Sequence, residues 1–262
     1  MIQTRKPPDG VSETAGALYD GPTTTAMCGR YRLTSKDRVI AKHFGSDTDI
    51  EWSARYNIAP TQPMPAIRQD PRQPKRVLSL LGWGLIPSWA TDSSIGAKLI
   101  NARAETAAEK PAFRDALRDR RCLIPADGFY EWSRAGRTKQ PYCFEVNRGE
   151  TFAFAGLWDR WNGPGGSPLE TCTILTTNAN SLLADIHDMM PVILRSEDYD
   201  LWLDPGFQRT DAIADLLRPY EAGLMNRYPL STRINRVEND DPECSVPIEL
   251  PEGPAQGGLF SF

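Results

Sequence analysis

The cysteine in "TTTAMCGRY" stands at position 28, directly before Gly29 and Arg30. A glycine gives close backbone access and a neighbouring guanidinium favours thiolate, both of which suit a nucleophilic thiol. The same residue type is more commonly a small buried hydrophobe, so Cys28 alone does not decide the matter. In "LINARAET", Asn101 can both donate and accept hydrogen bonds and Arg103 suits a phosphate. Equally, Asn101 reads as a helix cap and Glu105 as an ordinary first-turn carboxylate. Glu131 lies in "GFYEW" among Phe129, Tyr130 and Trp132. Facing inward it would be partly desolvated, with a raised pKa fit for proton transfer; facing outward it is a surface acid on an alternating strand, and the two readings stay open. His187, in "DIHDMMPVIL", is one of two histidines and occupies a loop position that can carry a catalytic imidazole. His43, on the periodic run "KDRVIAKHF", has a solvated or packing role as its default.

Two aromatic clusters add recognition chemistry or core. "TFAFAGLWDRW", with Trp158 and Trp161, reads as core. "GWGLIPSWA" is broken by Gly and Pro, so Trp83 and Trp89 can project from a loop and stack on unpaired bases, although packing is the commoner fate of tryptophan.

The elements that must position these residues are mostly strands. "RYRLT", "RVLSLLGWGL", "RCLIPADGFYEW", "PYCFEV", "TFAFAGLWDRW", "TCTILTT" and "PVILR" are strand-like runs separated by turn signals. Helical segments are expected at "KDRVIAKHF", "PAFRDALRDR", "SLLADI", "SEDYDLWL" and "DAIADLLRPY", the second with Pro111 in its first turn. Strands and long helices do not alternate, which argues against a doubly wound parallel sheet. The expectation is an α+β fold: a mixed, largely antiparallel sheet curled into a barrel-like core, with short flanking helices. Residues 1–26 have the Pro, Gly, Thr and charge content of a disordered extension and lack the apolar centre of a secretory signal. The domain is expected over 27–250, with 251–262 as a flexible tail.

At 262 residues the chain can bury a core without staples. No apolar run reaches the roughly 18 residues that span a bilayer. The net charge of −4 argues against a wholesale basic coat for nucleic acid, while leaving room for a local arginine-lined groove. Five widely spaced cysteines, with no C-x-x-C pair and two histidines, suggest neither a disulfide framework nor a zinc site, and fit a reducing cytosol. Cys122, Cys143 and Cys172 sit among apolar neighbours and are expected to be buried; Cys244, in "DPECSVP", is expected in a surface loop.

The motifs "MCGRY", "RYNIAPTQ", "WGLIPSW", "INARAET", "CLIPADGFYEW", "QPYCFEV", "AGLWD", "TTNAN" and "IHDMMPVIL" occur in an order that closely resembles the SOS response-associated peptidase (SRAP) family of abasic-site processing proteins. The resemblance spans about residues 27 to 235. It implies that methionine is removed and the following cysteine, here Cys28, attacks the ring-opened aldehyde of an abasic site in single-stranded DNA, closing a thiazolidine DNA–protein crosslink. By the same resemblance Asn101 orients the cysteine and the opened sugar, Glu131 handles protons, and His187 assists imine chemistry and crosslink reversal. Arg30 and Arg103 would hold flanking phosphates, with Trp83 and Trp89 near the bases, and a weak lyase activity would follow from the imine. No metal, organic cofactor or membrane is implied, and a cytoplasmic, DNA-associated monomer is expected.

The chain departs from the family pattern twice. Met189 stands in "HDMMP" where relatives often carry Arg, which would remove a cationic contact to DNA. Twenty-six residues precede Met27, and an amide-bonded Cys28 cannot form an imine. The expectation is therefore that Met27 is the real initiator or that the leader is removed later. Two other readings stay open: a thiol peptidase using Cys28 and His187 to cut its own leader, and a non-catalytic single-strand binding module.

Overall fold

The computed structural model describes residues 28–48, 50–69, 75–133, 139–164 and 166–250. Its first strands are β1 (Tyr31–Leu33), β2 (Ser46–Thr48), β3 (Arg55–Ile58), β4 (Pro63–Gln69) and β5 (Arg76–Trp83). The middle of the chain supplies β6 (Asn101–Arg103), β7 (Arg121–Ala126), β8 (Gly128–Ser133), β9 (Gln140–Val146), β10 (Phe152–Trp161) and β11 (Leu169–Asn178). β12 (Met189–Pro191), β13 (Ile193–Leu194) and β14 (Met225–Pro229) follow. The helices are short: α1 (Asp37–Phe44), α2 (Ala104–Ala107), α3 (Arg114–Asp119), α4 (Tyr199–Leu203) and α5 (Thr210–Ile213).

Five strands close a ring. β5 pairs with β4, β4 with β7, β7 with β10 and β10 with β11, all antiparallel, and β11 returns to β5 in parallel through Thr171↔Gly82 and Cys172↔Trp83. Four reversals of direction bring β11 parallel to β5, so the ring closes without strain on strand polarity. β7, "RCLIPA", is buried at every residue, as a strand covered on both faces must be. Gly156 of β10 is required by this packing: a Cβ there would lie 2.8 Å from the Cys122 Sγ and from Ile124.

A second sheet, in the order β14-β9-β8-β1-β3, is antiparallel throughout and packs on the barrel. Its register partners Phe129 and Phe144 stack with centroids 5.3 Å apart, and Phe129 meets Phe154 of β10 edge to face at 5.9 Å. Tyr31 of β1 contacts both Phe154 and Trp83 in the same edge-on manner. Each such pair adds about 0.5–1.5 kcal/mol to the burial of apolar area. This aromatic seam joins the sheets into one core.

The expected α+β architecture with a curled, largely antiparallel sheet is the one observed. Three local expectations are corrected. "RCLIPADGFYEW" is two strands: the chain leaves the barrel as β7 and enters the second sheet as β8 at Asp127. Its buried carboxylate accepts from the Thr34 N–H (2.6 Å), Thr34 hydroxyl (2.8 Å), Ser35 N–H (3.3 Å) and Thr151 hydroxyl (2.7 Å). "SLLADI" forms consecutive turns, held by Asn180 Oδ1 accepting from the Leu182 and Leu183 N–H groups. Cys244 is buried with Tyr130, Cys143, Leu230 and Ile234, because the C-terminal segment folds back onto β3. Asp240 accepts from Arg55 and from the Tyr56 and Asn57 N–H groups there. The expectations for residues 1–26 and 251–262 lie outside the described residues; among the described residues, no helix is long and apolar enough to cross a membrane.

Burial of so many thiols and phenols makes stability sensitive to alkali. Burial pushes Cys122 and Cys143 up to about 12 and also raises Cys172, Tyr31 and Tyr130. The folded chain keeps protons that the unfolded chain surrenders from the ordinary values of 9.0 for a thiol and 10.0 for a phenol. The contribution is fully present below pH 9.0 and is lost as the pH rises toward 12. Urea midpoints should therefore fall between about pH 8 and about pH 10.5; an unchanged or higher midpoint at the alkaline end would contradict this account.

Candidate active site

Cys28 lies just ahead of β1, in the second sheet, and the barrel reaches it through β6. Asn101 opens β6, which pairs in parallel with β11 at Ile174, and the Asn101 amide Nδ2 donates to the Cys28 carbonyl oxygen at 3.0 Å. The amide thus fixes the backbone of the cysteine from the opposite sheet.

Glu131 comes from β8, the direct neighbour of β1. The ladder Tyr31↔Phe129 continues through the Tyr130 N–H to the Arg30 carbonyl at 3.0 Å, which brings Glu131 level with the start of β1. Of the two orientations open to Glu131, the inward one is observed. Cys28, Asn101, Glu131 and His187 are all buried, none more than 8% exposed. Burial first, and the Glu131 carboxylate second, push the Cys28 thiol well above its ordinary value of 9.0; a backbone hydrogen bond from Arg30 opposes this. Burial and the nearby carboxylate thus both favour the protonated thiol.

His187 ends the turns that follow Asn180 and precedes β12, which pairs with β11 at Asn178↔Met189. Its Nδ1 lies 3.1 Å from the Met189 nitrogen and 3.2 Å from the Met189 carbonyl oxygen, contacts that fix the ring's position whichever nitrogen carries the proton. Arg227 of β14 holds the same turns, donating to the Leu182 carbonyl at 2.7 Å and to both Asp185 carboxylate oxygens at 2.5 and 2.9 Å. One strand, β11, therefore carries the attachments of both Asn101 and His187, while the second sheet supplies Cys28, Glu131 and the brace on the His187 turn. Met189, at the position where an arginine was expected to be missed, is buried.

The residues expected to contact DNA divide. Arg103 is part-exposed on β6, two residues from Asn101 and so on the same strand face. The Arg30 guanidinium donates to Asn57 Oδ1 at 2.7 Å and the Ile234 carbonyl at 3.0 Å and lies 5.7 Å from the Trp132 ring. It is half-buried and braces β1 against the returning C-terminal segment. Trp89 is 57% exposed, as a stacking platform would be. Trp83 corrects the expectation: it is fully buried, its indole N–H donates to the Ile100 carbonyl at 2.9 Å, and its ring is edge-on to Tyr31, so it has no face for a base.

Two contributors carry little sequence signal. Asn57 receives the Arg30 bond and donates to the Ile234, Arg236 and Asn239 carbonyls, but in "RYNIAPTQ" it is one polar residue in a short run. Glu105 bonds to Arg103 and to the Thr177 hydroxyl of β11, a partner far away in the chain. Its nearness to Arg103 was visible; its tie to the barrel was not. Among the described residues no His, Cys, Asp and Glu group is arranged to hold a metal ion.

Comparison with known proteins gives the chain relatives. The family model described as "SOS response associated peptidase (SRAP)" matches residues 27–237. The abasic site processing protein YoqW of Bacillus subtilis is 47% identical over 221 residues, 83% of this chain and 98% of its own. The abasic site processing protein HMCES of Gallus gallus is 38% identical over 208 residues, 70% of this chain and 61% of its own. A crystal structure of a protein from Bacteroides thetaiotaomicron superposes with a TM-score of 0.76 at 30% identity, covering 83% of this chain and 98% of that one.

Proposed function

Because the chain belongs to the SRAP family, we propose that it processes abasic sites in single-stranded DNA, capturing the opened sugar on Cys28 as a thiazolidine crosslink in the DNA-damage (SOS) response. The observation that carries the reading is the convergence on Cys28 of Asn101, through the 3.0 Å bond to its carbonyl, and of the buried Glu131, on the strand paired with β1.

The chemistry needs Cys28 as the N-terminal residue. Its α-amine, with an ordinary pKa of about 7.7–8.0, is partly neutral near pH 7, whereas the buried thiol stays protonated. The amine therefore attacks first: the N–C bond forms at the aldehyde carbon, and loss of water leaves an imine. His187 donates a proton to the departing oxygen. Glu131 takes the thiol proton as sulfur adds to the imine carbon, and the ring nitrogen is protonated, closing the five-membered ring. Asn101 keeps the cysteine backbone still while both bonds form. The same imine acidifies the adjacent sugar C–H, which accounts for a weak lyase activity by elimination of the 3′ phosphate.

Protein beginning at Cys28, mixed with an abasic single strand, should give a band that survives denaturation, and Cys28→Ala should give none. Absence of the band with the unsubstituted protein, or its persistence in Cys28→Ala, would overturn the reading. Mass spectrometry of the full chain tests the accessory peptidase activity: a leader lost from the wild type and retained in Cys28→Ala is the expected pattern for self-processing.

Trp89 supplies a smaller prediction. Trp89→Ala should weaken binding to a single strand by about 1–3 kcal/mol without changing thermal stability, since the side chain is mostly exposed. Fluorescence anisotropy checks this, and unchanged affinity would remove Trp89 from the interface.

A further inference from the structure

Arg103 is not presented to solvent as a free cation. Its Nε donates to Glu105 Oε2 at 3.1 Å and its Nη2 to Asn178 Oδ1 at 3.2 Å, while Glu105 Oε1 accepts from the Thr177 hydroxyl at 3.1 Å. A carboxylate is thus tied to β11 by one oxygen and to the guanidinium by the other. The Arg103 and Glu105 side chains are each 40% exposed, and an ion pair so open to water contributes little to stability. Two of the five guanidinium N–H donors are used by these bonds, which leaves three in a fork suited to a phosphate.

We propose that Glu105 is a brake on backbone binding: it orients Arg103 toward the strand while cancelling most of its charge, so that intact single strands are held weakly and retention falls to the covalent step at Cys28. This rests on the reading that Arg103 faces a DNA phosphate. The phosphate meets a nearly neutral pair, and the Glu105 carboxylate, one side chain away, repels it. Thr177 and Asn178 hold the two side chains from β11 and favour the paired arrangement over a separated one.

The test uses protein beginning at Cys28 and an undamaged oligothymidine strand, titrated at several salt concentrations. Glu105→Gln keeps an oxygen to accept from Arg103 and an amide to meet the Thr177 hydroxyl, but removes the charge. It should tighten binding about three- to tenfold at moderate salt. The slope of log affinity against log salt should steepen by about 0.7, the increment for one more effective cation on a single strand. A purely structural role would not steepen that slope. The gain should largely vanish in the Arg103→Ala background. Unchanged or weaker binding by Glu105→Gln, an unchanged slope, or a full gain without Arg103 would each overturn the brake. Wild-type protein run in parallel on an abasic strand separates the two levels: its failure to crosslink would instead overturn the functional reading beneath.

Discussion

A single residue left in front of Cys28 is expected to slow capture of abasic DNA on the order of a thousandfold or more. The reason is the pairing of two nucleophiles on one carbon skeleton. With an amide nitrogen at Cys28, no imine can form, and the buried thiol alone gives a reversible thiohemiacetal. With a free amine, the imine holds the aldehyde carbon next to sulfur, and ring closure becomes intramolecular. The rate should rise with pH through the α-amine range, about 7.7–8.0, before the thiol ionises, because burial and Glu131 hold the thiol higher. The comparison is between protein starting at Cys28 and protein starting at Met27, at saturating abasic single strand, read on a denaturing gel. Capture by the extended form within about tenfold of the trimmed one would sink the aminothiol mechanism.

The second large effect concerns stability. Arg121 opens β7, is buried, and spends its guanidinium on five backbone carbonyls. Nε donates to Trp202 (2.6 Å), Nη1 to Leu117 (2.9 Å) and Arg118 (2.8 Å), and Nη2 to Asp204 (2.5 Å) and Phe207 (2.9 Å). Leu117 and Arg118 lie in the last turn of α3, where carbonyls lack helical partners and the helix dipole favours a cation. The others lie at and after the end of α4. One side chain thus fastens two helix ends to the barrel. Arg121→Met fills the space but leaves buried acceptors unmet, and should lower the unfolding free energy by about 3–5 kcal/mol. Arg121→Lys should recover less than half, since an ammonium has three donors and cannot match a planar fork. Urea denaturation measures both; a loss under about 1 kcal/mol for Arg121→Met would refute the fastening role.

Much of the fold was legible where a pattern is local. The "PYCFEV" and "TCTILTT" runs are the interiors of β9 and β11, and "KDRVIAKHF" is α1, with Ile40, Ala41 and Phe44 buried at helical spacing. β4 escaped because "PMPAIRQ" opens with Pro63 and Pro65, which argue against a central strand; the proline half is paired to β5, and the link to β7 is at Ile67. The parallel closure of β11 on β5 depends on residues distant in the chain, and no periodicity encodes it. Trp83 and Cys244 were misplaced for one reason: their loop-like neighbours say where the backbone turns, not which side faces the core. For the site, the motif order drew attention to Cys28, Asn101, Glu131 and His187. What spacing alone left undecided was the inward face of Glu131 and the tie from Glu105 to Thr177 of β11.

Because Asn101 and the His187 turn both hang from β11, the order of synthesis matters. When the chain has grown only as far as β8, the strands that carry Glu131 and follow Cys28 have both been made, but β6 still lacks its partner β11 and the ring lacks β10 and β11. Contacts this far apart in sequence form late, since the loop must close before they return any energy. The nascent protein thus carries an unassembled nucleophile until β11 docks, and a single strand-docking event then supplies the amide, completes the ring and prepares the seat of the imidazole. Reactivity toward aldehydes should be acquired in one step, late in folding.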